Sequence, residues 1–278
     1  MIWRFRAACV TGSARAPDAR HEATAMKFRI VHPVYKVVLM VGFVIASLAG
    51  ATVARASIVI GATRVIYSAD ASEVTVKLSN QGQAAALAQT WIDNGDPKAA
   101  PSTVATPFTL TPPVSRIDPS KAQTIRIFRI NDTLPNDRES VFYLNVLEIP
   151  PKPGADESGQ NHLQLAFRTR IKLFYRPTGL KMSAAEAPRQ LTWQWSRNDS
   201  KTTLTVSNPT PYYVTVSSFE VKDASGAMVA KSLDSDMIAP GASKSMPVTE
   251  TQAHPGEVAR FFSINDYGGE DEHETPIR

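Results

Sequence analysis

The chain has 278 residues, with 30 lysines and arginines against 26 aspartates and glutamates and a formal charge of +4. Eight of the basic residues, but only Asp18 and Glu22 of the acidic ones, fall within residues 1–56, so the remainder carries 22 basic and 24 acidic groups and is slightly acidic. A cationic nucleic-acid-binding face has little support, and with the single cysteine at position 9 the remainder can hold no internal disulfide, thiolate zinc site or cysteine nucleophile.

Residues 1–56 read as a leader. Lys27, Arg29 and Lys36 make a positive start, Val37 to Ala49 is an uncharged apolar run of 13 residues, and Ala54-Arg55-Ala56 is a small-x-small cleavage site. The run is short for a membrane span. Met26 directly precedes Lys27 and makes a plausible true start, with residues 1–25 an extension and 26–56 the signal peptide. Cleavage after Ala56 predicts Ser57 as the mature N-terminus and a secreted or periplasmic protein, and the lack of later apolar runs predicts a soluble mature chain without an integral membrane span.

Residues 57–278 suffice for two domains, each burying its own core. In chain order, strands are expected at 57–67, 73–80, 86–93, 103–110, 123–130, 141–149 and 162–175, then at 190–197, 202–208, 212–222, 243–249 and 257–265. The evidence is period-two alternation, as in Val74, Val76 and Leu78 or Leu204 and Val206. Breaks fall at Asn94-Gly95-Asp96-Pro97, Thr111-Pro112-Pro113 and Asn208-Pro209-Thr210-Pro211. No stretch repeats at 3.6 residues over three turns. The class is all-β, and seven strands before Arg176-Pro177-Thr178-Gly179 match an immunoglobulin-like sandwich. Domains of 57–176 and 181–278 joined by a linker at 177–180 follow.

The segment 162–175 is long for a strand and lacks Pro and Gly, and Leu163, Leu165, Phe167, Ile171 and Leu173 share one parity. Those side chains either face the chain's own core or are lent to a partner from a sheet edge. Pattern alone favours the core and does not decide. Catalysis finds no constellation: His162, His254 and His273 fall in separate predicted loops or termini, without a His-Glu-x-x-His pair or a Gly-x-Ser-x-Gly elbow. No catalytic residue, metal ligand or cofactor is assigned, and Glu270 to Glu274 read as a solvated acidic tail.

The block from Leu134-Pro135-Asn136-Asp137-Arg138-Glu139 through Asn145, continued by Glu148-Ile149-Pro150-Pro151, resembles the signature of the PapD-like periplasmic pilus chaperones. So do Ile171-Lys172-Leu173-Phe174-Tyr175-Arg176-Pro177, Asn208-Pro209-Thr210-Pro211-Tyr212-Tyr213-Val214-Thr215 and Ile264-Asn265-Asp266-Tyr267-Gly268-Gly269. The resemblance implies two immunoglobulin-like sandwiches in an L shape and a chaperone that lends a strand to pilus subunits and delivers them to an outer-membrane usher; chaperone–pilin strand donation is itself a known example of this kind of recognition. It implies Leu163, Leu165 and Phe167 as donor side chains, Arg64 and Lys172 as the grip on the subunit's terminal carboxylate, and Glu139, Arg176 and Asp266 as an interdomain charge cluster. The modest loop before Leu163 resembles the short-loop subgroup. The acidic tail departs from the family pattern and leaves the last strand of the second domain in question. The rival expectation is an exported pilin or adhesin.

Overall fold

The computed structural model describes residues 57–130, 134–151, 165–198, 201–246, 248 and 256–278, together with Met40. Residues 55–278 form one compact unit that contains two separate hydrophobic cores.

The first core lies between two sheets. One has the order β1 (Ile58–Ile60), β3 (Glu73–Asn80), β7 (Ala122–Arg129), β5 (Phe108–Thr111). The other has the order β2 (Arg64–Ser68), β9 (Phe167–Arg176), β8 (Ser140–Ile149), β4 (Ala86–Asp93), β6 (Val114–Ile117). All pairings are antiparallel except β2 with β9. The alternation in the sequence is the alternation of burial: Val76, Leu78, Ile125 and Ile127 face inward, while Lys77 and Arg126 face water. Each such fully buried side chain stabilises the sandwich by about 1.5–3 kcal/mol relative to exposure.

The second core is built around Trp193, fully buried between Phe219 and Phe261 with ring centroids 5.2 and 5.1 Å away. Its sheets are β10 (Thr192–Asn198), β11 (Lys201–Ser207), β15 (Ser243–Met246) and, facing them, β13 (Met228–Ser232), β12 (Val214–Lys222), β16 (Val258–Ile264), β17 (Glu270–Pro276), with β14 (Asp236–Ile238) also on β12.

Three departures from the expected strands matter. The run 57–67 is two strands, not one: the Gly61 N–H donates to the Lys77 carbonyl at 2.9 Å, and the chain then crosses from the first sheet to the second. In place of the expected 103–110 the strand is Phe108–Thr111, and Val114–Ile117, directly after the Pro112-Pro113 break, is an additional edge strand. The acidic tail is strand β17, paired with β16 along its whole length. Its charges stand on an edge, where Glu272 is bonded to Arg260, and such an edge resists pairing with other chains. His273, expected in the tail, lies buried in that strand with Nε2 2.9 Å from the Ser263 hydroxyl.

Candidate functional site

Strand β9 organises the candidate site. Its odd-numbered side chains Ile171, Leu173 and Tyr175 enter the first core. The same parity continues backwards to Phe167 and to Leu165, just before the strand, and there the environment reverses: these two are 52% and 54% exposed. At this end the strand is still paired with β8 but its side chains no longer enter the core. The pairing changes at the same place, because β8 accompanies β9 from Phe167 to Tyr175, whereas β2 accompanies it only from Lys172 to Arg176. From Phe167 to Ile171 one side of the β9 backbone therefore has no strand beside it among the described residues, and at the start of that stretch Phe167, with Leu165 before it, lies bare. Leu163, the first expected donor residue, lies outside the described residues.

The even-numbered face of β9 carries Arg168, Arg170, Lys172, Phe174 and Arg176. Arg170 donates to both oxygens of the fully buried Asp93, at 2.9 and 2.5 Å, and Asn145 donates to the same carboxylate at 2.7 Å. Burial alone would raise the Asp93 pKa, but these bonds and one from the Gly95 N–H outweigh it and hold the group below the usual carboxylate range. Arg168 donates to the Asn145 side chain and the Pro97 carbonyl, and the two guanidiniums lie over the rings of Trp91 and Tyr143. This network braces the outward stretch of β9 from behind. The sequence reading missed it by following only one parity of the strand.

Further along the same face, Arg64 and Lys172 are register partners. Neither is ion-paired among the described residues. Arg64 Nη1 donates to the Ile264 carbonyl at 3.0 Å, its guanidinium lies 5.7 Å from the Phe174 ring centroid, and its Nε is buried without a partner. Burial lowers the pKa of both cations, and for Lys172 the neighbouring Arg64 charge lowers it again. Two partly desolvated like charges side by side destabilise a free protein, and an anion placed between them removes the conflict.

Arg176 links the two sandwiches. Its Nε donates to Glu139 at 2.7 Å and its two terminal nitrogens to Asp266 at 2.7 and 2.8 Å. Glu139 in turn accepts the Tyr213 N–H at 2.9 Å. Desolvation opposes the Arg176 charge, but Asp266 and Glu139 outweigh it and push its pKa up; desolvation raises Glu139, with Arg176 opposing. A second clasp is steric. Gly268 has φ +84°, and a Cβ there would stand 2.0 Å from Thr63 Oγ1, so only glycine lets the β16–β17 turn settle against the residue before Arg64. A cavity of about 330 Å3 between the sandwiches is lined by Arg64, Phe174, Arg176, Tyr213, Asp266 and Tyr267. A larger one, about 670 Å3, lies among Arg138, Lys181, Pro209 and Pro240 and touches neither Arg64 nor Lys172.

Among the described residues no group of three or more His, Cys, Asp or Glu could hold a metal ion, and no helix is long and apolar enough to cross a membrane. Residues 57–181 match the family model described as "Pili and flagellar-assembly chaperone, PapD N-terminal domain", and residues 186–275 match "Pili assembly chaperone PapD, C-terminal domain". The chain is 50% identical over 218 residues to the probable fimbrial chaperone YadV of Escherichia coli K12, covering 77% of this chain and 87% of that one. It is 47% identical over 237 residues to the chaperone protein FimB/FhaD of Bordetella pertussis, covering 84% and 92%. The crystal structure of the YadV chaperone superposes with a TM-score of 0.67 at 46% identity, over 80% of this chain and all of that one. The Salmonella enterica SafB chaperone, solved in complex with the SafA pilin, gives 0.64 at 25% identity, over 81% and 98%.

Proposed function

The chain belongs to the PapD-like family of pilus-assembly chaperones, and from that membership we propose that it captures pilus subunits in the periplasm by adding the free stretch of β9 to their incomplete sheets. One observation carries this reading: the edge of β9 that is unpaired among the described residues, from Phe167 to Ile171, begins where the apolar side chains of Leu165 and Phe167 are exposed. A subunit edge that docks there satisfies both its own backbone groups and those of β9, while Phe167 and Leu165, with Leu163 before them, enter the subunit's open groove. Arg64 and Lys172 then bind the subunit's terminal carboxylate by charge-assisted hydrogen bonds, which fixes where the partner chain ends and hence its register. Arg176, with Glu139 and Asp266, holds the two sandwiches so that the cleft cations stay in reach of that terminus.

Capture requires no covalent chemistry, so no catalytic residue, cofactor or metal is assigned. Export through the signal peptide at 26–56 places the chaperone where subunits emerge, and an outer-membrane usher is the partner that receives them. The domains proposed are 57–176 and 181–278. The two family models, spanning 57–181 and 186–275, favour this chaperone role over an exported pilin or adhesin. The experiment is co-expression with candidate pilus subunits and affinity purification from the periplasm. A one-to-one complex is expected, with the chain alone remaining monomeric; self-polymerisation without subunits would instead support the pilin reading.

A further inference from the structure

Ser57 and Ile58, where the chain enters β1, are held by an acceptor that strand addition does not use. Both oxygens of Glu148 face them: the Ser57 hydroxyl donates to Oε1, and the Ile58 N–H donates to Oε2 at 3.0 Å. Ser57 is also fixed from two other directions. Its carbonyl accepts the Gln81 N–H at 2.7 Å, and Gly82 approaches so closely that a Cβ there would stand 2.6 Å from the Ser57 Cβ. Glu148 is partly buried and forms no ion pair among the described residues. A half-buried carboxylate served only by neutral donors lacks a countercharge.

We infer that Glu148 is the seat of the α-ammonium group that cleavage after Ala56 creates on Ser57. That nitrogen is one bond from the Ser57 Cα, beside two groups already bonded to the carboxylate. In the uncleaved chain it is a neutral amide carrying the leader; in the mature chain it is a cation, and the ion pair completes the set of donors around Glu148. The location ties processing to function, because Glu148 is the register partner of Phe167, where the unpaired stretch of β9 begins. The cut end of the chain is thereby pinned at the rim from which the donor stretch departs. The inference rests on the cleavage position proposed above.

The test uses the chain prepared in two ways: exported with its own leader, and released in vitro from a fusion by a protease that leaves Ser57 first. Intact mass gives the natural start, and NMR or pH-dependent acylation gives the α-amine titration. The exported protein is expected to begin at Ser57. In both preparations the amine should titrate about one unit above its ordinary value near 8, a tenfold shift. Glu148→Gln, which keeps a neutral acceptor for Ile58, should return it to that value. Acetylating the amine should lower the melting temperature of wild type and leave Glu148→Gln unchanged. A natural start elsewhere, with the shift present in the protease-released chain, overturns the cleavage position and with it the role of the pair in the natural protein. An ordinary titration in both preparations, or equal sensitivity of wild type and Glu148→Gln to acetylation, overturns the ion pair and leaves the cleavage position standing.

Discussion

Arg64 stands opposite Lys172 in the parallel β2–β9 pair, and burial lowers the proton affinity of each by more than the nearby carboxylates, Asp266 and Glu139 for Arg64 and Asp236 for Lys172, restore. The two residues are not equivalent, because Arg64 also holds the Ile264 carbonyl of the second sandwich. Lys172→Met removes one of the like charges while keeping the apolar stem. The free protein is expected to melt at an unchanged or higher temperature, and subunit capture to fall at least tenfold, since a hydrogen bond between charged partners contributes about 1.5–3 kcal/mol. Arg64→Ala should lose capture as well as about 1 kcal/mol of stability. Thermal melting paired with quantitative co-purification separates the two effects, and a Lys172→Met protein that captures subunits as well as wild type removes the cation from the site.

Strand β9 offers an internal control for the donor assignment. Phe167 and Leu173 share one parity of one strand, yet the first is half exposed and the second is fully buried. Phe167→Asp or Leu165→Asp leaves the charge in water until a partner arrives, so the melting temperature should hold while capture is abolished. Leu173→Asp buries an unpaired carboxylate and should unfold the first sandwich, at a cost beyond about 4 kcal/mol. If Phe167→Asp also collapses the fold, the side chain belongs to the core and not to a partner.

The all-β class was legible because its evidence is local: alternation in β3, β7 and β11 maps directly onto burial. The crossing at Gly61 was not, since a lone glycine between two apolar runs does not by itself mark a change of sheet, which depends on the Lys77 carbonyl of another strand. Strand β17 was hidden for a different reason. Its composition is that of a solvated tail, and only His273 points into the core, where desolvation lets a single inward side chain and a paired backbone define the strand. The pairing of Arg64 with Lys172 came from family resemblance, and no spacing rule brings together two residues so far apart in sequence. The Asp93 network was likewise invisible, because its carboxylate, amide and guanidiniums come from three strands.

His273 makes the second sandwich sensitive to acid. Desolvation lowers its pKa, Arg189 adds to this and Asp271 opposes. Since the folded pKa lies below the unfolded value near 6.5, both states are neutral at higher pH and the residue has no effect there. As pH falls through about 6.5 the unfolded state takes up the proton first. Stability should decline from that point until the folded form is protonated as well. His273→Gln, which can still bond Ser263, should flatten melting temperature against pH in this interval; an identical slope in wild type and variant would place the acid sensitivity elsewhere.

The Arg176 network predicts an order of damage. Glu139 is 3% exposed, whereas the Asp266 side chain is 37% exposed. Asp266→Asn breaks the more exposed of the two pairs and leaves Glu139 neutralised, and should cost only about 1 kcal/mol. Arg176→Ala leaves Glu139 buried with no countercharge and should cost about 3–5 kcal/mol. Replacing Glu139 as well, in an Arg176→Ala, Glu139→Leu double variant, removes the stranded charge and should recover most of that loss. Recovery should stop short of wild type, because the Tyr213 N–H then has no acceptor, a deficit of about 1–3 kcal/mol. Denaturant melts of the four proteins measure this ladder. Equal losses for Asp266→Asn and Arg176→Ala, or no recovery in the double variant, would mean that the arginine acts by packing between the sandwiches and not by neutralising Glu139.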